Sequence, residues 1–294
     1  MRTELAALAA SIERHWSRYG RETPVDGLLL ARAESPSGIM RSVYRPSFCL
    51  VVQGAKATML GGTPYLYAAG QCLLASVDLP VTARITEASV SRPYLAMSLA
   101  IDPATVAELV NGHAEKLGDG SSPPAIATSD LDRDLCDPLR RLLGLMDSPQ
   151  DIAVLAPLIR REIVWRLLRG RLGPLLRQIG LADGHTARIG RATAWLREHY
   201  ADTIRVADLA AIAHMSIPSF HRHFKAVTTM TPVQFQKQVR LQEARRRLLC
   251  AEGVATVGYS VGYESLSQFN RDYRRVFGAP PGRDAMSLRT NLLS

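Results

Sequence analysis

VADLAAIAHMSIPSFHRHFK at residues 206–225 and VATVGYSVGYESLSQFNRDYR at residues 254–274 are two copies of one pattern. Their first halves align at an offset of 48. Beyond the turn the offset is 49, which sets Phe220 opposite Phe269, Arg222 opposite Arg271 and Phe224 opposite Tyr273, so the second turn is one residue longer. An internal repeat marks a supersecondary unit used twice. Each copy has a short helix, a small residue where two helices must approach (Ala210, Gly258), a tight turn and a second helix, the logic of a helix-turn-helix. On the second helices, Phe220 and Phe224, and likewise Phe269 and Tyr273, are four residues apart, so each pair shares a face and is expected to anchor it in a core. The opposite face then carries Ser219, His221, Arg222 and Lys225 in the first copy, and Ser267, Gln268, Asn270, Arg271 and Arg274 in the second. Those side chains suit hydrogen bonding to base edges and phosphates in a major groove.

Helix-start signals agree. Ser216 followed by Pro218 reads as an N-cap with proline in the first turn, and Thr231-Pro232-Val233-Gln234 has capping-box spacing. The helix opened there, about 232–250, is expected to be a stiff connector between the reading helices. If both enter one face of a duplex, they should lie about 34 Å apart, one helical turn.

The charge falls in the same region. Of the net +9 of the 294-residue chain, +8 lies in residues 187–294, with 16 Lys+Arg against 8 Asp+Glu. Such a block suits a phosphate backbone, although a merely solvated basic surface gives the same count. The length predicts two domains, and 47% hydrophobic residues fit a globular protein. The opening MRTELAALAASIERHW carries Glu4 and Glu13 around a short apolar stretch, unlike a signal peptide. No run reaches the eighteen or so charge-free apolar residues of a membrane span. A cytoplasmic protein without membrane partners is expected. Cys49, Cys72, Cys136 and Cys250 are scattered with no C-x-x-C pair, which points to neither a zinc site nor a disulfide framework.

The expected fold class is α+β. Residues 1–36 read as an N-terminal helical segment. From 37 to 102 the chain reads as short strands, among them 48–52, 73–77 and 94–99, with Gly61-Gly62 as a hairpin turn; many strands without intervening helices suggest a small barrel or sandwich. Residues 103–180 turn helical: a helix opening at Thr105, a Gly/Ser/Pro-rich loop at 118–124, a helix over 131–146 and another over 151–168. The last carries Ile152, Leu155, Ile159, Ile163 and Leu167 near helical spacing. That stripe fits either an intramolecular core or the seam of a homodimer. Residues 181–188 read as a linker and 189–290 as the basic, all-helical domain.

The stretch from about Ile189 to Leu288 resembles the AraC/XylS family of transcription regulators. The residues that carry the resemblance are DLAAIAHMSIPSFHRHFKAVTTMTPVQF (208–235), RLQEARRRLL (240–249) and above all VGYESLSQFNRDYRRVFGAPPGRDAM (261–286). It implies a DNA-binding domain of two helix-turn-helix units on double-stranded DNA. By position, Pro218, His221 and Arg222 would face bases, with Ser219 and Lys225 near phosphate. In the second unit Ser267, Gln268 and Arg271 would face bases, with Ser265 and Asn270 as neighbours. Pro218 stands where many relatives carry Trp, and His221 where Gln is common, so no operator sequence carries over; His221 also reads simply as a surface histidine. Residues 44–89, 91–102 and 155–170 are similar to the N-terminal domain of one subgroup of that family. This likeness implies a cupin-like β-barrel, here 37–102, followed by helices; in the family such barrels bind small-molecule effectors or mediate dimerisation. RNA polymerase is a further partner that such a regulator would contact.

Many cupins hold a catalytic metal on histidines. The seven histidines here, His15, His113, His185, His199, His214, His221 and His223, all fall outside 37–102, so no metal, no cofactor and no enzyme activity is expected. The candidate effector-lining residues are Cys49, Met59, Cys72, Ser76 and Tyr94. A buried cysteine is more often a small core residue than a sensor, and a sensor thiol would need a lowered pKa. Two readings stand beside the ligand-responsive regulator: a constitutive dimeric DNA-binder, and a cupin-type enzyme fused to a DNA-binding module.

Overall fold

The structure, a computed structural model, describes residues 1–111, 125–180, 184–250 and 252–293. Its contacts divide the chain into a first unit of residues 1–190 with 226–229 and a second of residues 191–225 with 230–294.

In the first unit, α1 (Arg2–Tyr19) buries Leu8, Ile12 and His15 at helical spacing. The strands follow: β1 (Leu28–Ala33), β2 (Met40–Tyr44), β3 (Ser47–Gln53), β4 (Ala55–Leu60), β5 (Thr63–Ala68), β6 (Gln71–Ala75), β7 (Leu79–Glu87) and β8 (Tyr94–Ala100). After α2 (Pro103–Asn111), whose first turn is capped by Asp102 accepting from the Ala104 and Thr105 N–H groups, comes β9 (Ile126–Asp130). Helices α3 (Arg133–Gly144), α4 (Ile152–Arg169) and α5 (Gly173–Gly180) complete the unit, and α6 (His185–Glu198) runs on into the second.

All strand pairs are antiparallel. One sheet has the order β1-β8-β3-β6-β9 and the other β2-β7-β4-β5. The chain crosses from one sheet to the other at Gly54, between β3 and β4, where φ is +79° and a Cβ would meet the Glu87 carbonyl oxygen at 2.4 Å. Only glycine fits that corner. The period-2 alternation of a strand then sorts side chains between the two faces of the five-stranded sheet. Phe48, Leu50 and Val52 of β3 and Leu95, Met97 and Leu99 of β8 enter a core shared with the helices, including Leu139 and Leu142 of α3 and Ile159, Ile163 and Leu167 of α4. Each such side chain is worth about 1.5–3 kcal/mol of burial. Cys49, Ala96 and Ser98, on the other parity, face a cavity closed on its far side by the four-stranded sheet.

Several boundaries differ from the sequence reading. The segment 1–36 is helical only to Tyr19; LLLARA at 28–33 is β1, paired with β8 along its length. A short apolar run has no period that separates strand from helix, and pairing decides it. β9 likewise lies outside 37–102 yet adds an edge to β6, so the sheets draw on more of the chain than that range. His185 to Arg188, read as linker, form the first turn of α6; Leu181 to Asp183, the loop 118–124 and His113 lie outside the described residues. The stripe on α4 is largely intramolecular: Ile159, Ile163 and Leu167 are buried, whereas Leu155 is exposed beside Val154 and Leu158. Among the described residues no single helix is long and apolar enough to cross a membrane.

The second unit contains α7 (Val206–Ile212), most of α8 (Ile217–Thr228), α9 (Pro232–Leu249), α10 (Val254–Ser260), α11 (Leu266–Phe277) and α12 (Pro281–Leu293). Helices α7 and α10 are offset by 48 residues at both ends, and α8 and α11 by 49, which matches the sequence repeat.

Candidate nucleic-acid interface and barrel cavity

Each helix-turn-helix turns on a left-handed residue at the end of its first helix. Met215 N–H donates to Ala210 O and His214 N–H to Ala211 O; in the second copy Tyr263 N–H donates to Gly258 O and Gly262 N–H to Tyr259 O. These are the paired bonds of a Schellman motif, with His214 at φ 49° and Gly262 at φ 89° in the left-handed position. The first helix stops there, and the second helix starts at its fixed angle.

The second helices of both units are held from behind by aromatic rings. Phe220 and Phe224 have centroids 5.2 Å apart, and Phe224 meets Phe235 of α9 edge-on at 5.6 Å. Phe269 lies 5.6 Å from Tyr273 and 5.3 Å from Tyr263. All five of the phenylalanine and Tyr273 rings are fully buried. Asp272, which the repeat sets opposite His223, is also buried and pairs with Lys237 of α9 at 2.8 Å.

The outward faces are polar. On α8, Pro218, His221, Arg222 and Lys225 are exposed and Ser219 is partly buried; on α11, Ser267, Gln268, Asn270, Arg271 and Arg274 are exposed. Ser265 is exposed too and caps α11, its hydroxyl accepting from the Gln268 N–H. Arg275, absent from the sequence-based set, lines the same open groove as Asn270, Arg271 and Arg274; its spacing of four from Arg271 was the available signal.

Helix α9 ties the two copies together. Thr231 and Gln234 form the expected capping box, with Pro232 in the first turn. Arg240 reaches back to the Tyr200, Ala201 and Asp202 carbonyls beyond α6 and across to the Gly262 carbonyl. Arg245 makes a bidentate pair with Asp284 of α12, which also accepts from the Tyr273 hydroxyl.

In the first unit the space between the sheets is a cavity of about 430 Å³. Of the expected lining residues, Cys49 and Tyr94 border it. Met59 is 41% exposed on β4; Cys72 is buried, its thiol donating to the Ser129 carbonyl; Ser76 is buried, bonded to the Ala125 carbonyl. Burial raises the Cys49 thiol above its ordinary pKa and takes Cys72 up to about 12, opposite to what a sensor thiol needs. A hydrogen-bonded chain of Tyr44, Thr58 and Tyr67 hydroxyls runs along the four-stranded sheet, and Lys56 projects beside it. Among the described residues no three His, Cys, Asp or Glu side chains stand together as metal ligands.

A family model described as the AraC-type transcriptional regulator N-terminus matches residues 24–175, and one for a helix-turn-helix domain matches residues 209–285. The chain belongs to the AraC family of transcription regulators. The transcriptional activator RhaS of Salmonella schwarzengrund is 31% identical over 157 residues, which are 50% of this chain and 55% of RhaS. RhaS of Salmonella agona is 30% identical over the same length. The chain thus spans about half the length of the curated relatives it matches. Among solved structures, an apo form of ToxT from Vibrio cholerae is similar at a TM-score of 0.58 and 9% identity, over 90% of this chain and 99% of that one. ToxT bound to an unsaturated fatty acid gives 0.55 and 10%, over 88% and 95%. At such identities the likeness is one of fold.

In this AraC-family chain the outward helix positions are exposed as the sequence predicted, whereas the cavity was hardly legible. Lys56, Tyr44, Arg21 and Arg45 border the cavity and were not among the sequence candidates. Lys56 could have been found from strand parity, since it alternates with Thr58 and Leu60, both fully buried.

Proposed function

We propose that this AraC-family chain is a sequence-specific DNA-binding transcription regulator that reads double-stranded DNA through α8 and α11 and answers to a small molecule held in the cavity of its first unit. The observation that carries the reading is the match between Arg222 and Arg271: each lies on the exposed side of a helix whose other side is pinned by a buried aromatic pair. A protein has no folding reason to repeat an exposed arginine at one register of two helix-turn-helix units, whereas a duplex presents the same groove edge once per turn. Pro218, Ser219, His221, Lys225, Ser265, Ser267, Gln268, Asn270 and Arg274 complete the DNA face. The reading includes action in the cytoplasm, contact with RNA polymerase, pairing of two chains through exposed Val154, Leu155 and Leu158 of α4, and a binding role, not a catalytic one, for the cavity.

Footprinting on the DNA upstream of the chain's own gene tests it. Protection is expected over two major-groove segments about 34 Å apart. Arg271→Ala should weaken specific binding by about 1–3 kcal/mol and relax sequence preference in one segment only. Equal affinity of that variant for the operator would remove Arg271 from the base-reading set, and an absence of any protected site would remove the regulator reading.

A further inference from the structure

The DNA-binding surface makes no use of Lys56, and the barrel offers that residue no counter-charge. Lys56 lies on β4 with Thr58 on its inward face, paired across the strands with Tyr67. Its ammonium sits 5.5 Å from the centroid of the Tyr44 ring. Burial opposes its charge, and the face of the Tyr44 ring favours it. Among the described residues no carboxylate lies within ion-pair distance of it, and the cavity lining contains Arg21 and Arg45 but neither Asp nor Glu. A second, independent orphan borders the same space. Tyr94, on β8 of the facing sheet, is 1% exposed, and its hydroxyl has no hydrogen-bond partner among the described residues. Both residues border the same cavity near the Gly54 corner, where the Tyr94 Cα lies 3.2 Å from a would-be Gly54 Cβ and Lys56 follows two residues on. The remaining wall combines the apolar Leu29, Ala31, Val43 and Ala96 with Ser42, Ser47 and Ser98.

Buried hydroxyls are normally satisfied, and an enclosed cation without an anion is unfavourable. A ligand that brings both an acceptor and one negative charge resolves both. We propose that this cavity is a carboxylate site: a small organic monoanion places its carboxylate on Lys56, accepts a hydrogen bond from the Tyr94 hydroxyl and lays an apolar body along Leu29, Ala31, Val43 and Ala96. The single interior ammonium sets the charge at one, because a second negative charge would be enclosed unpaired. Arg21 and Arg45, both exposed at the rim, attract the anion to the mouth. A volume of about 430 Å³ falls in the range of small-molecule sites. This names the effector class of the proposed regulator and rests on that reading.

The test uses the full chain with benzoate, phenylacetate and octanoate, each against its neutral amide, and with phenyl phosphate as a dianion. Calorimetric titration and thermal unfolding are the readouts. At least one acid is expected to bind and raise the melting temperature, with its amide at least tenfold weaker. Lys56→Met should lose tenfold or more in affinity for the acid and nothing for the amide, and it should not lower the melting temperature of the free chain, since it removes an uncompensated cation. Lys56→Arg should retain part of the binding, and Tyr94→Phe should lose several-fold while folding normally. The proposal is overturned if no acid binds in the millimolar range, if acid and amide bind alike, if phenyl phosphate binds more tightly than benzoate, or if Lys56→Met unfolds the free chain while Lys56→Arg does not restore acid binding. Footprinting with the same preparation separates the two readings. Acid binding without DNA protection keeps the site and removes the regulator; protection without acid binding removes this site alone.

Discussion

His214 and Gly262 occupy the same left-handed position in the two helix-turn-helix units, and the surroundings decide what each residue can be. At Gly262 an added Cβ would stand 2.2 Å from the Ala201 carbonyl oxygen and 2.8 Å from an Arg240 nitrogen. Gly262→Ala therefore carries both a left-handed alanine and a clash with backbone, and should cost about 3 kcal/mol. Gly278 ends α11 at φ 82° with nothing within 4 Å of its would-be Cβ, so Gly278→Ala should cost only about 1 kcal/mol. Equal losses in denaturant unfolding would show that conformation alone accounts for both. The cysteines divide in the same way by surroundings. Cys49 and Cys72 have raised thiol pKa values because burial disfavours the thiolate, whereas Cys250 is exposed. Brief iodoacetamide treatment of the native chain near pH 7.5, read by mass spectrometry, is expected to label Cys250 and spare the other two. Early labelling of Cys49 would contradict the burial argument and revive a sensor thiol.

At the scale of the element, the connector α9 is where sequence and tertiary structure divide the work. Its start was legible because a capping box is a local code: Thr231, Pro232 and Gln234 satisfy one another without help. The helix repeat was legible for the same reason, since turn, small residue and aromatic pair all lie within some twenty residues. What α9 holds was not legible, because Arg240, Arg245 and Lys237 act on partners tens of residues away. The Arg245 pair gives a quantitative contrast. Asp284 is buried and serves both Arg245 and the Tyr273 hydroxyl, so Asp284→Ala leaves a guanidinium and a phenol without their acceptor and should cost about 3 kcal/mol. Arg246, whose side chain is 66% exposed, pairs with Glu243 one turn away, and Arg246→Ala should change stability by less than about 1 kcal/mol. Comparable effects in thermal unfolding would mean that α12 is not fastened through Asp284. β1, β9 and Lys56 were missed for the converse reason: a strand acquires its identity from the strand beside it, and an inward lysine only from the sheet opposite.

Over the whole molecule the charge is unevenly divided. Residues 1–186 are close to neutral, and nearly the entire excess of +9 belongs to the helix-turn-helix region. Neutralising phosphates releases condensed counterions, so affinity for any duplex should fall linearly on a log–log plot against salt, with a slope near −0.9 per phosphate engaged. The two kinds of exposed cation should then separate. Lys225 carries a point charge near the end of α8, suited to a phosphate. Lys225→Ala should weaken operator and unrelated DNA alike and make the slope shallower by about one. Arg271 has a planar fork on the outward face of α11, suited to a base edge, so Arg271→Ala should shrink the ratio of operator to unrelated affinity and leave the salt slope of non-specific binding nearly unchanged. Fluorescence anisotropy of labelled duplexes across a salt series measures both quantities together. If Lys225→Ala altered the specificity ratio and Arg271→Ala the slope, the outward faces of α8 and α11 would meet DNA in another orientation, with the residues near the helix ends turned to the bases.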